Sequence, residues 1–165
     1  MNQRSMNIQV EKAQQGDLSA LCLLNKQICQ QHAQHAPNVF VIPSSEQITQ
    51  YMQNILDHSD SEIWIAKLGN QAAGYVIARL TRNESVPFLT THLVARIDTI
   101  VVDDEFQHCG IGQALFAACQ QWCEQQGASE IRLEVMAFNQ TAQRFYQQLG
   151  FSSQSHILSM SLSSN

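Results

Sequence analysis

The stretch RIDTIVVDDEFQHCGIGQALF, from Arg96 to Phe116, decides how this chain is read. It opens on a run rich in β-branched residues, crosses a short acidic segment, and meets two glycines, Gly110 and Gly112. Beyond them, Ile111, Leu115, Ala118 and Trp122 recur at helical spacing. The order is therefore strand, glycine loop, helix. A helix start presents unpaired N–H groups and the positive end of the peptide dipole. Glycines there let a ligand reach the backbone, which is the geometry that cradles phosphate. A dinucleotide loop would need glycine where Leu115 stands, and a nucleotide P-loop would need a Gly-Lys-Ser/Thr that is absent. What remains is Gln107-x-x-Gly110-x-Gly112. Glycines that merely make a tight turn are the alternative reading.

Outward from this stretch, the pattern alternates between helix and strand. NIQVEKA reads as a first strand, and DLSALCLLNKQICQQHA as a helix capped near Asp17. PNVFVIP, between Pro37 and Pro43, reads as a loop. SSEQITQYMQNILDH keeps Ile48, Met52 and Ile55 on one stripe and opens on the serine-then-glutamate pattern of a helix start. SEIWIAKL, a Gly69-Asn70 turn and AAGYVIARL form a hairpin. RNESVPF is a polar loop, and THLVARIDTIVVD a long strand. A helix from Gly110 to Gln126 ends at Gly127 as a left-handed cap. SEIRLEVMA reads as a strand, NQTAQRFYQQLG as a short helix stopped by Gly150, and FSSQSHILSMSL as one or two final strands. The fold class is α/β: a single mixed, mostly antiparallel sheet flanked by helices, in one domain spanning 1–165.

Composition narrows the function. The chain has 165 residues, 44% of them apolar, which suits a globular domain with a full core. No apolar run approaches membrane-spanning length, and MNQRSMNIQVEK lacks the apolar core of a signal peptide, so a cytoplasmic protein without a membrane partner is expected. A net charge of -5 argues against non-specific nucleic-acid binding and suits a cationic substrate such as an amine. Five cysteines without a CxxC read as small buried hydrophobes and not as disulfides or metal ligands. His32 and His35 with Cys29 lack a fourth ligand at sensible spacing, so no metal is expected. These histidines read as a polar helix end or the rim of an acceptor pocket.

Taken with LEVMAFNQTAQRFYQQLGF (133–151), the opening stretch resembles the GNAT superfamily of acetyl-coenzyme-A-dependent N-acetyltransferases over about His92 to Phe151. The loop differs from many relatives in carrying His108 and Cys109 where arginine and glycine are common, which makes it less cationic. The resemblance implies a GNAT-like fold and acetyl-CoA as co-substrate. It implies that backbone N–H groups of His108, Cys109, Gly110, Ile111, Gly112 and Gln113 hold the pyrophosphate, with Gln107 also among the cofactor-binding residues. It further implies that the exposed backbone of Ile100, Val101 and Val102 pairs with the pantetheine arm, with an N–H near Val102 polarising the thioester carbonyl. Asn139 is expected to contact the pantetheine or to cap its helix, or both.

Direct acetyl transfer to a primary amine in a ternary complex needs a neutral amine and a proton for the leaving thiolate. Tyr146 stands where the family places the general acid; a core aromatic beside Phe145 and Leu149 is the other reading. Asp98 is the candidate base or amine binder. Simple alternation places it on the face of Ile100 and Val102, and a bulge, common here in the family, would alter that. Glu134 is the reserve base. The acceptor, a small-molecule or protein amine, is set in this family by the first two helices and the RNESVPF loop. A homodimer is compatible with this reading, and a non-catalytic coenzyme-A sensor on the same fold is the alternative.

Overall fold

Alternating burial through the middle of the chain builds one five-stranded sheet. The computed structural model describes residues 7–162, so the first six residues of the polar N-terminal stretch lie outside the described residues. Strands β1 (Ile8–Lys12), β2 (Ser61–Leu68), β3 (Gln71–Thr81), β4 (Val94–Val102) and β5 (Glu130–Leu133) lie side by side in chain order. The first three joins are antiparallel; β4 and β5 are parallel. A parallel join needs a crossover. Helix α3 (Ile111–Gln125) supplies it. Helices α1 (Leu18–His35) and α2 (Ser45–Leu56) precede the hairpin of β2 and β3, and α4 (Gln140–Gln148) follows the sheet. The chain forms two compact units, Met1–Glu134 and Val135–Asn165. The sheet and first three helices belong to the first, α4 to the second.

The two faces of the sheet bury different helices. Ile63, Ile65, Tyr75, Ile77 and Val101 pack with Leu21 and Leu24 of α1 and Ile48 and Met52 of α2. Side chains alternate along a strand, so Gly74 and Val76 face the opposite way, toward α3. A Cβ at Gly74 would lie 2.4 Å from the Val101 carbonyl oxygen, 3.2 Å from Leu115 and 3.3 Å from Ile111. Glycine is what lets α3 sit this close. The buried stripe Ile111, Leu115, Cys119, Trp122 and Cys123 holds α3 there. Truncating Leu115 to alanine would cost about 2–5 kcal/mol.

Local signals place the helix ends, with two departures: Asp17 precedes α1 but its side chain makes no cap bond there and accepts from Gln14 N at 2.8 Å, and the box at α2 has another partner. The Ser44 hydroxyl accepts from Gln47 N at 3.2 Å, and Gln47 Oε1 accepts from Ser44 N at 2.8 Å. The capping box is thus closed by Gln47, three residues on, and not by Glu46. At the end of α3, Gly127 and Ala128 donate to Glu124 and Cys123 carbonyls, each at 3.0 Å, around a left-handed Gly127.

Three strand expectations are corrected. β4 is Val94–Val102, shorter than THLVARIDTIVVD at both ends, and β5 stops at Leu133 and leaves Glu134 to Ala137 outside the sheet. Residues 152–162 form no strand. Apolar alternation makes a strand only where a neighbouring ladder and a buried face receive it. Ile157, Leu158, Met160 and Leu162 instead stand 77–91% exposed.

Candidate functional site

The site begins with a fault in the β3–β4 ladder. Ile77 pairs with Thr99, but Ala78 pairs with Ile97, so Asp98 is an extra residue on β4. This bulge bends the strand. On its other side β4 pairs with β5 only from Val94 to Ile97. From Asp98 to Val102, among the described residues, β4 has β3 on one side and no strand on the other. Ile100, Val101 and Val102 lie in this half. Val101 is buried in the core and fixes the strand. An extended backbone with an open edge can take up another extended chain by main-chain hydrogen bonds.

The loop that follows is tied down by polar contacts. Asp103 N donates to Ala73 O at 2.9 Å. A short 3-10 turn, Asp104–Phe106, comes next. The Asp104 carboxylate accepts from Gln31 of α1 at 3.0 and 3.2 Å and from Gln107 Nε2 at 2.8 Å. The Gln107 side chain therefore anchors the loop. Cys109 Sγ donates to Gln107 O at 3.5 Å. His108 takes φ 63° and Gly110 φ 85°. A left-handed residue that is not glycine costs about 1–2 kcal/mol, so the loop is held in shape at His108 by its surroundings.

Gly110 begins α3, and no side chain caps that end. The first intrahelical bond there runs from Ala114 N to Gly110 O, 3.0 Å. The N–H groups of Ile111, Gly112 and Gln113 therefore have no acceptor within the helix. No lysine or arginine lies between Asp103 and Gln113. An anion here would be held by N–H groups and the helix dipole.

The bulge also decides where Asp98 points. Arg79 donates from Nη2 to Asp98 Oδ1 at 2.8 Å and from Nε to Oδ2 at 3.0 Å. Arg79 alternates with Ile77 and Tyr75, so Asp98 sits on the α1–α2 face. Of the two placements the sequence left open, the structure has the one with a bulge: the extra residue breaks the parity that simple alternation would give. Burial first, and then the charge of Asp98 against the opposing Arg79, raises the Tyr51 phenol above its ordinary range. Glu134 accepts from Arg96 Nη2 at 3.3 Å, with its side chain 68% exposed.

On that same face a cleft of about 280 Å³ lies between α1, the α1–α2 connection, α2 and Thr99 of β4. At its side Asn25 Nδ2 donates to Tyr75 Oη at 2.8 Å, and Cys29 Sγ donates to Asn25 Oδ1 at 3.4 Å. Burial pushes the Tyr75 and Cys29 groups up. His32 lines the cleft and stacks 4.7 Å from Phe40. Burial, and then His35, lower its pKa. All five cysteines are free thiols. Among the described residues no group of three or more His, Cys, Asp or Glu is arranged to hold a metal, and no helix is long and apolar enough to cross a membrane.

In the second unit Asn139 caps α4, its Oδ1 accepting from Ala142 N at 3.0 Å. Tyr146 sits between Phe145 and Phe151, ring centroids 5.4 and 5.7 Å away. Burial pushes its phenol up to about 12.

The structure thus brings Ile100–Val102 and Gln107–Gln113 into one continuous segment of the first unit, and Asn139 and Tyr146 onto one helix of the second. Sequence reading missed Arg79, Asn25, Tyr51 and Thr99. Tyr51 stood one position from Met52 on the α2 stripe, which was its only signal.

Comparison with known proteins converges on one family. The model described as "Acetyltransferase (GNAT) family" matches residues 27–151. A [Ribosomal protein bS18]-alanine N-acetyltransferase of Escherichia coli K12 is 35% identical over 86 residues, covering 50% of this chain and 58% of that protein. The chain therefore spans little more than half the length of this curated relative. Among solved structures, a mutant of the BH1408 protein from Bacillus halodurans superposes with a TM-score of 0.87 at 20% identity, covering 93% of this chain and 99% of that one. The aminoglycoside N-acetyltransferase AAC(6')-Iy, crystallised with CoA, gives 0.79 at 20% identity, covering 98% of each. At such identity these likenesses establish the fold.

Proposed function

Because the chain belongs to the acetyltransferase (GNAT) family, we propose that it moves an acetyl group from acetyl-CoA to a primary amine, with residues 1–165 acting as one catalytic domain. One observation carries this reading: β4 parts from β5 after Ile97 and leads straight into a glycine loop and an uncapped helix start. That pairing supplies what acetyl-CoA requires, an open main-chain edge for its amide-bearing arm and an anion seat for its pyrophosphate. Gly110 and Gly112 carry no side chain at this helix start, and a Cβ on Gly110 would meet nothing nearer than Ile8 at 4.0 Å.

When bound, acetyl-CoA supplies the thioester. The amine nitrogen bonds to its carbonyl carbon as the carbon–sulfur bond breaks. Backbone N–H of the open half of β4, near Val102, is assigned to steady the carbonyl oxygen. Tyr146 is assigned to protonate the departing thiolate; burial holds its phenol up to about 12, above an ordinary thiol, so it enters protonated and the phenolate it leaves takes a proton back from solvent. The amine gives up its own proton to water. Asp98, with both oxygens on Arg79, is assigned to position the acceptor side of the bulge and not to take that proton; Glu134 remains the reserve base. Asn139 caps α4 and is assigned to the cofactor side. The names of the relatives, a ribosomal-protein acetyltransferase above all, support a cytoplasmic setting.

The experiment is release of free thiol from acetyl-CoA in the presence of a panel of amines. Amine-dependent release supports the enzyme. Tight acetyl-CoA binding without release on any amine would favour the coenzyme-A sensor.

A further inference from the structure

The cleft on the α1–α2 face says what kind of amine the protein takes. None of its lining residues carries a carboxylate, an ammonium or a guanidinium. Its walls are chiefly Ile28, Phe40, Val41, Ile48 and Tyr51, with Thr99 leading to the open half of β4. The buried amide within it is already used, Asn25 bonding Tyr75 and Cys29. Asp98, whose charge reaches Tyr51 of this wall, has both oxygens engaged by Arg79. Bringing several ammonium groups out of water demands partner anions. The lining offers none. The volume is at the small end for ligand pockets, enough for one compact body.

Resting on the acetyl-transfer reading, we infer that the acceptor is a small monoamine carrying an aromatic or aliphatic body, which packs against Phe40, Ile48 and Tyr51 while its nitrogen lies toward Thr99. A polycation finds no counter-charge in this cleft. His32 belongs to the same wall, and its lowered pKa keeps it neutral near pH 7, so it does not repel the amine.

The test compares thiol release with 2-phenylethylamine, hexylamine, ethanolamine, spermidine, kanamycin and an alanine-initiated peptide. The expected result is a kcat/KM at least tenfold higher for 2-phenylethylamine or hexylamine than for any other. A best rate on ethanolamine, spermidine, kanamycin or the peptide, or any margin below tenfold, overturns the acceptor class and leaves acetyl transfer standing. No release on any amine overturns both. Val41 is 81% exposed, so Val41→Glu places an acid at the cleft without burdening the core. By giving a polycation a counter-charge it should narrow the advantage of 2-phenylethylamine over spermidine at least tenfold, with the KM for acetyl-CoA unchanged. Unaltered kinetics in that variant would overturn the cleft as the seat.

Discussion

At Asp98 two demands compete for one carboxylate, since a base must be available to a proton and this one is held in a fork by Arg79 at 2.8 and 3.0 Å. Asp98→Asn should therefore raise the acceptor KM several-fold and leave kcat within about threefold from pH 7 to 9.5. A large loss of kcat that is partly recovered at pH 9.5, where more amine is already neutral, would make Asp98 the base. Tyr146→Phe keeps the ring against Phe145 and Phe151 and removes only the hydroxyl. It should cost roughly tenfold to a thousandfold in kcat with acetyl-CoA affinity unchanged, and an undiminished kcat would return Tyr146 to a packing role. Because burial lifts this phenol to about 12, its active, protonated form persists as pH rises. The parent kcat/KM should climb toward the pKa of the acceptor amine, near ~10.4, and a decline starting at pH 9 would exclude Tyr146 as the acid.

Elements meet most tightly where α3 crosses β3. Gly74→Ala puts a carbon 2.4 Å from a backbone oxygen of β4, which cannot swing aside as a side chain could. A loss of about 1–3 kcal/mol in urea unfolding is expected, and an unchanged midpoint would show that β3 and β4 can separate at no cost. Gly112→Val, in the first turn of α3, should do the reverse. Valine is no worse than glycine in a helix, so stability should hold while acetyl-CoA binding weakens at least tenfold by calorimetry. At the β5 edge, Arg132 donates twice to Glu130 at 2.9 Å, and His92 adds to the effect. Chiefly through Arg132, the Glu130 carboxyl is lowered from 4.5 to about 2. A depressed carboxylate stabilises the fold above its unfolded pKa, and that contribution disappears as pH falls through the folded value. Side chains about a third exposed limit it to about 1 kcal/mol or less. The gap in urea midpoint between parent and Glu130→Gln should thus be open at pH 6 and closed near pH 2; a gap independent of pH would show that the pair is not its source.

Across the whole molecule, what the sequence revealed and what it hid divide along physical lines. The strand–loop–helix of Arg96 to Phe116 was legible because its determinants are local: β-branched residues, left-handed glycine at Gly110, and an apolar stripe in α3. Ser44, Gly127 and Asn139 mark their helix ends for the same reason. The face of Asp98 was left open between alternation and a bulge, since the bulge is located only by the register between β3 and β4. The cleft was hidden because its walls come from segments far apart in the chain, and Asn25 looked like an ordinary polar residue on α1. Strand pattern after Phe151 was misleading because alternation there finds no ladder among the described residues. The central claim is that the open half of β4 and the start of α3 together bind acetyl-CoA through main-chain groups. The direct measurement is amide hydrogen exchange, residue by residue, with and without saturating acetyl-CoA. The account predicts protection gained at Ile100–Val102 and at His108–Gln113, persisting in Asp98→Asn. Binding that leaves both segments exchanging as before would contradict it.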